Sequence, residues 1–288
     1  MSSTNNYLVN DESKWYNLVL NGGSTKGIAH LGVMCFLEEK KLLKDITCYA
    51  GTSIGAVIII FHSSGFSALD IWDFISKMDL KKLFKPDIFS SLKNLGLDDG
   101  KIMEATMEDM LFATFGIPQI TFQQHYDITK KELIITGTNM TLKTLEIYSY
   151  KHTPQKIISK CGRISGGVPI MYTPVINEKG ETLVDGAFMN NFPIDLVPIT
   201  NTLGIKINAV LDTKYNYPEE YIMALLNLCQ YCAITKPIPK NADIIEIDFE
   251  ESISSFNFSL DQEAKEKLFQ IGYESARKFY RQKLESFI

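Results

Sequence analysis

Apolar residues in this chain alternate between short β-type runs and longer stretches at helical spacing. Residues 15–20 (Trp15, Leu18, Val19, Leu20) read as a first strand, which runs into Asn21-Gly22-Gly23-Ser24-Thr25-Lys26-Gly27. Ile28, Leu31, Val33, Met34, Phe36, Leu37 and Leu42 then recur as one helix face. Residues 46–50 predict a second buried strand, followed by Gly51-Thr52-Ser53-Ile54-Gly55 and an apolar helix from Ala56. Leu69, Ile71, Trp72, Phe74, Ile75 and Met78 predict an amphipathic helix over 67–78. Asp98-Asp99-Gly100 opens another, which ends near Phe115 because Gly116 and Pro118 follow. Strands are expected at 132–138 and 145–150, with His125 in a helix-like stretch before them and a helix over 154–163 after them. Leu183-Val184 leads into Asp185-Gly186-Ala187. The last third predicts strands at 204–211 and 242–249, a helix at 218–234, and a helix over 260–284 capped by Ser259 and Gln262. No repeat, linker or low-complexity segment divides the chain. The expected organisation is a flexible segment 1–14, a core 15–200, and 201–288 completing the same domain.

At 288 residues and 45% hydrophobic content the chain can bury a large core. Its net charge of −5 argues against a nucleic-acid partner, which needs a basic face. The start is polar and unlike a secretory signal, and no apolar run approaches the ~18 residues of a membrane span. Five cysteines at irregular spacing suggest reduced thiols, so a cytoplasmic location is expected. Cys229 and Cys232 fall within a helical pattern with no second pair or histidine nearby, and packing is the expected role. Residues 81–93 mix Lys81, Lys82, Lys85 and Lys93 with large apolar side chains. That stretch reads either as a solvated loop over the core or as a peripheral contact with an anionic membrane surface.

Chemistry concentrates in three places. A serine flanked by glycines between a strand and a helix fits a nucleophile elbow, where tight backbone leaves no room for neighbouring Cβ atoms. Strand, glycine loop and helix at Asn21 to Ile28 fit an anion site, for a phosphate or a transient oxyanion. The phosphate-loop and dinucleotide patterns are both absent, and close helix packing would also explain the glycines. Asp185, at the end of an apolar strand, could reach a site at the sheet edge or serve as a turn residue. A serine needs a base. Of the four histidines, His30, His62 and His125 sit in helical patterns, and only His152 is retained as an alternative base.

These three elements, in this order and spacing, resemble the patatin-like phospholipases, a family of lipid acyl hydrolases. The glycine loop Gly22 to Gly27, the elbow Gly51 to Gly55, and Asp185-Gly186-Ala187 with Asn190, Asn191 and Pro193 carry the similarity. Gly96 to Gly100, Thr136 to Asn139 and Ser165 to Pro169 agree as well. The resemblance implies a three-layer α/β/α fold around a mainly parallel sheet. It also implies a Ser53–Asp185 dyad without a histidine, and Gly22, Gly23 and Ser24 as oxyanion donors. Lys26, Gly27, Gly51, Gly55 and Gly186 would support these motifs. The implied substrate is a phospholipid or other acyl-ester lipid, with no metal or cofactor. A short-chain or neutral-lipid esterase and a weakly catalytic lipid-binding protein are the alternatives. Ser24 replaces the family's usual third glycine, so its backbone angle decides whether its N–H can serve.

Overall fold

The computed structural model describes residues 14–87, 94–198, 200–208, 217–233, 241–249 and 260–286. The expected flexible segment, apart from Lys14, and residues 88–93 of the lysine-rich stretch lie outside them. Strand β1 (Asn17–Leu20) is buried along its whole length and pairs in parallel with β2 (Cys48–Gly51) and with β9 (Thr202–Ile207). Strand β10 (Asp243–Ile247) continues the parallel array beyond β9, and β4 (Glu132–Asn139) continues it beyond β2. Strands β5 (Thr144–Tyr148), β8 (Thr182–Asp185) and β7 (Val175–Ile176) add antiparallel pairings. A separate parallel pair joins β3 (Gly96–Asp98) to β6 (Ile170–Tyr172).

Two-residue alternation divides the strands between two faces. Leu18, Leu20, Tyr49, Leu133, Ile135, Leu203, Ile205 and Ile245 enter the main core. Val19, Cys48, Ala50 and Ile134 enter a smaller cluster closed by Phe192, Ile194 and Val197. Helices α1 (Ile28–Glu39), α2 (Ile54–Ser63) and α9 (Gln262–Glu285) pack on the main-core face. Helices α1 and α9 meet so closely that a Cβ on Gly32 would enter the Phe269 carbonyl, and one on Gly272 the Ala29 carbonyl. The molecule is therefore a mixed α/β fold with a mostly parallel central sheet flanked by helices.

Helices α3 (Ala68–Lys77) and α4 (Lys101–Phe115) lie where the sequence pattern predicts; a Ser67–Asp70 capping box opens α3, and a left-handed Gly116 ends α4. Three expectations shift. Helix α6 (Ile158–Ser165) starts late, because Lys156 and Ile157 pair with the segment leading into α5 (Phe122–Thr129). Strand β9 begins and ends earlier than 204–211, and residues 209–211 lie outside the described residues. The cap of α9 is Asp261, whose carboxylate accepts the Ala264 N–H; Ser259 lies outside the described residues, and the Gln262 side chain donates to Glu266. The remaining helices are α7 (Ala187–Asn190) and α8 (Pro218–Cys232). Among the described residues no helix is long and apolar enough to cross a membrane.

Candidate active site

Strand β4 brings the serine and the aspartate together. Its first half pairs with β2, placing Gly51 beside Ile135, and its second half pairs with β8, placing Asp185 beside Gly137. Strand β5 takes the other edge of β4 over Ile135 to Asn139, so β8 meets the edge where β2 ends. The chain leaving β2 turns at Ser53, a non-glycine residue held at φ 55°, ψ −128°. Such a conformation costs about 1–3 kcal/mol and persists only where surrounding contacts enforce it. A Cβ on Gly55 would lie 2.6 Å from the Asn21 carbonyl oxygen, and one on Gly51 2.8 Å from the Ala56 nitrogen. The Ser53 N–H donates to Ser165 Oγ at 2.9 Å. The Thr52 hydroxyl donates to the Asn190 carbonyl at 2.8 Å and lies 2.6 Å from Thr136 Oγ1. These bonds tie the turn to α6, β4 and α7 at once.

Ser53 Oγ donates to Asp185 Oδ2 at 2.7 Å. The other carboxylate oxygen, Oδ1, accepts the Ala187 N–H at 2.8 Å, and the Asp185 N–H is held by the Gly167 carbonyl at 3.1 Å. Asp185 is fully buried. Burial raises its pKa to about 7, and the hydrogen bonds from Ala187 and Ser53 only partly oppose the rise.

The glycine loop lies at the carboxyl end of β1. Asn21 clips it to β9, its side chain donating to the Ile207 carbonyl at 3.0 Å and accepting the Ile207 N–H at 2.8 Å. One expected oxyanion donor is otherwise engaged, because the Gly22 N–H donates to Asn191 Oδ1 at 3.0 Å and to the Asn191 carbonyl at 3.2 Å. Gly22 is there for space: a Cβ would collide with Asn191 Oδ1 and lie 2.9 Å from Ser53 Cβ. The Gly23 and Ser24 N–H groups have no acceptor among the described residues. Ser24 adopts φ 50°, the left-handed region in which glycine is at ease. Gly27 makes room for the Ile54 side chain and Gly186 for Thr136. Lys26 is buried, with Nζ 5.6 Å from the centre of the Phe249 ring.

No histidine is among the described hydrogen-bond partners of Ser53 or Asp185. His30 is fully buried and donates through Nε2 to the Asn21 carbonyl at 3.0 Å; burial lowers its pKa to about 4, so the ring is neutral. His62 pairs with Glu38, and His125 with Ser63. His152, the alternative base, lies 2.8 Å from Ser149 Oγ instead. Ser165 and Asn191 belong to segments the sequence marked, yet their bonds to Ser53 and Gly22 span more than a hundred residues and leave no local signal.

An apolar cavity of about 150 Å³ opens beside Ser53 and Ser24. Its walls include Val57 and Phe61 of α2, Ile71 and Ile75 of α3, Met107 of α4, and Met171 of β6. The cavity has no pattern of its own in the sequence, since its walls come from separate helices. Among the described residues there is no group of three or more His, Cys, Asp or Glu able to hold a metal ion.

A family model described as patatin-like phospholipase matches residues 18–198. The R571 protein of Acanthamoeba polyphaga mimivirus is 30% identical over 283 residues, covering 92% of this chain and 94% of the relative. A probable lipid hydrolase, 463L, of Invertebrate iridescent virus 6 is 30% identical over 199 residues, covering 67% of each chain. Among solved structures, VipD from Legionella pneumophila matches with a TM-score of 0.62 at 19% identity, covering 93% of this chain and 67% of VipD.

Proposed function

The chain belongs to the patatin-like phospholipase family, and from that premise we propose that it is a serine-dependent lipid acyl hydrolase of phospholipase A type. The observation that carries this reading is the 2.7 Å hydrogen bond from Ser53 Oγ to a buried Asp185, at the head of an apolar cavity. An acyl chain entering that cavity brings its ester carbonyl to Ser53. Asp185 takes the hydroxyl proton as Oγ bonds to the carbonyl carbon. Its pKa of about 7 makes it a stronger base than an exposed carboxylate near 4 while leaving much of it ionised at neutral pH. The Gly23 and Ser24 N–H groups receive the developing oxyanion, each such donor being worth roughly 3–4 kcal/mol in related chemistry. As the tetrahedral intermediate collapses, Asp185 returns the proton to the departing alcohol. Water then attacks the acyl-serine by the same route in reverse, releasing a fatty acid.

The test is labelling with a serine-reactive fluorophosphonate, alongside release of fatty acid from phosphatidylcholine. Wild-type protein should be labelled, Ser53→Ala should not, and Asp185→Asn should retain its fold while losing hydrolysis. Undiminished labelling of folded Ser53→Ala, or full activity in Asp185→Asn, would overturn the dyad.

A further inference from the structure

Helix α8 is inside out for a helix of a water-exposed domain. Ile222, Leu225, Leu228 and Tyr231 are 40–43% exposed, whereas Asn227 and Gln230 are half-buried. No charged residue occurs between Tyr221 and Cys232. Cys229 and Cys232, expected to be packed, are both exposed. An ordinary surface helix places its polar residues outward and its apolar stripe on the core. Contiguous exposed apolar surface of this kind marks a contact with something apolar.

The position of this helix says what that contact is. Leu226 packs on the cluster of Val168, Met171 and Tyr172, and all three of those residues also line the cavity beside Ser53. The same cluster receives a second element: Phe84 meets the Tyr172 ring edge-on, with centroids 5.6 Å apart. Phe84 belongs to a turn whose Leu80 and Leu83 line the cavity and whose Lys81, Lys82 and Lys85 are exposed. Those three lysines outnumber the flanking Asp79 and Asp87, and the positive charge is confined to this turn, because the α8 sequence holds Glu219 and Glu220 and no lysine or arginine. The apolar helix and the lysine-bearing turn thus converge on one buried cluster, and that cluster lines the candidate acyl cavity. Apolar side chains that enter the acyl boundary, beside lysines that meet anionic headgroups, are the two parts of an interfacial anchor.

We propose that α8 and the 81–85 turn form a docking surface for an anionic lipid bilayer, seating the cavity mouth on the membrane. This inference rests on the lipid-hydrolase reading for its purpose but not for its test. The full-length protein is co-sedimented with vesicles of phosphatidylcholine, or of equal parts phosphatidylcholine and phosphatidylserine. Wild type should bind the anionic vesicles more tightly, and added salt should weaken that binding. Leu225→Ser/Leu228→Ser should reduce binding to both vesicle types by about tenfold or more. Lys81→Glu/Lys82→Glu should remove the preference for the anionic vesicles. Circular dichroism should show both variants folded, and their hydrolysis of a water-soluble short-chain ester should stay within about twofold of wild type. Unchanged vesicle binding in both folded variants would overturn the proposal. So would a wild type that ignores vesicles and instead forms a dimer abolished by Leu225→Ser/Leu228→Ser. Ser53→Ala separates the two readings. If wild type hydrolyses nothing but both it and Ser53→Ala dock, the hydrolase reading fails and the docking surface stands. If hydrolysis of water-soluble esters is robust without vesicle binding, the reverse holds.

Discussion

The two ends of the cavity are built by different means. At the Ser53 end, polar groups are buried and held by hydrogen bonds from four directions; the Asn191 and Ser53 side chains leave no room for a Cβ on Gly22, and the Leu20 and Asn21 carbonyls leave none on Gly55. At the apolar end, Ile71 and Ile75 of α3, Met107 of α4 and Met171 of β6 meet only through packing. One polar device supports that wall. Lys265 of α9 is buried and donates to the carbonyls of Ile75, Ser76 and Met78 at 2.5–3.2 Å, closing the last turn of α3. The contrast teaches that the chemistry is specified by backbone geometry, which tolerates few replacements. On the proposed reading, acyl preference follows from exchangeable apolar volume.

This division can be broken by substitution. The largest effect is expected at the dyad: Ser53→Ala should lower kcat by about 10⁴-fold or more on short and long acyl esters alike. A loss confined to long chains would mean that Ser53 acts only as part of the cavity wall. Next, Val57→Trp should fill the cavity beside Ser53 without touching Asp185. Excluding about three methylenes at ~0.8 kcal/mol each predicts a roughly 50-fold fall in kcat/KM for a long-chain ester relative to an acetyl ester. Equal losses on both substrates would erase the distinction between the two ends.

Acidification sharpens the comparison by acting on one end alone. With Asp185 titrating near pH 7, kcat/KM for a water-soluble ester should fall about tenfold from its plateau to pH 6. A profile level down to pH 5 would exclude Asp185 as the base. The same shift has a stability consequence. Asp185 binds its proton more tightly folded than unfolded, so between about pH 4 and pH 7 its contribution to stability falls as pH rises. Asp185→Asn should therefore gain stability relative to wild type at pH 8 but not at pH 4, read from urea midpoints. The smallest effect is expected for Lys265→Met, which should cost roughly 1–3 kcal/mol of stability by removing the ammonium donor from the Ile75, Ser76 and Met78 carbonyls, of which Ile75 keeps the Met78 N–H. It should also lower the long-chain to short-chain activity ratio a few-fold. A change in activity on acetyl esters alone would show that α3 acts on the chemistry and not on the acyl wall.

Much of the Ser53 end was legible because its signals are local. Glycines at 51 and 55 around a serine, between a buried strand and an apolar helix, announce a strained turn without reference to any distant residue. Ser24 was legible in part. Its side chain where a glycine would be at ease pointed to the backbone angle, and φ 50° is the outcome. The engagement of Gly22 was not legible, because the acceptor on Asn191 lies 169 residues away. The late start of α6 shows long-range pairing prevailing over local helical pattern: the Lys156 carbonyl accepts the Phe122 N–H, and Ile157 bridges to Thr121 before its own carbonyl opens the helix. Helix α8 is the sharper case. Its two cysteines read as packed, yet the fold turns them outward together with Ile222, Leu225, Leu228 and Tyr231, and packs Leu226 inward.

By itself, the amino-acid sequence determined where the chain bends sharply, that residues 46–50 hold a buried strand, and which serine stands at a turn. Those features depend on steric limits and periodicity within a few residues. Tertiary structure alone decided that β8 meets β4 just past the end of β2. It thereby set the 2.7 Å contact between Ser53 and Asp185, the burial that raises the carboxyl pKa, and the cavity beyond them. The reason is physical: a pKa and a cavity are properties of what surrounds a group, and here those surroundings come from strands and helices far apart in the chain.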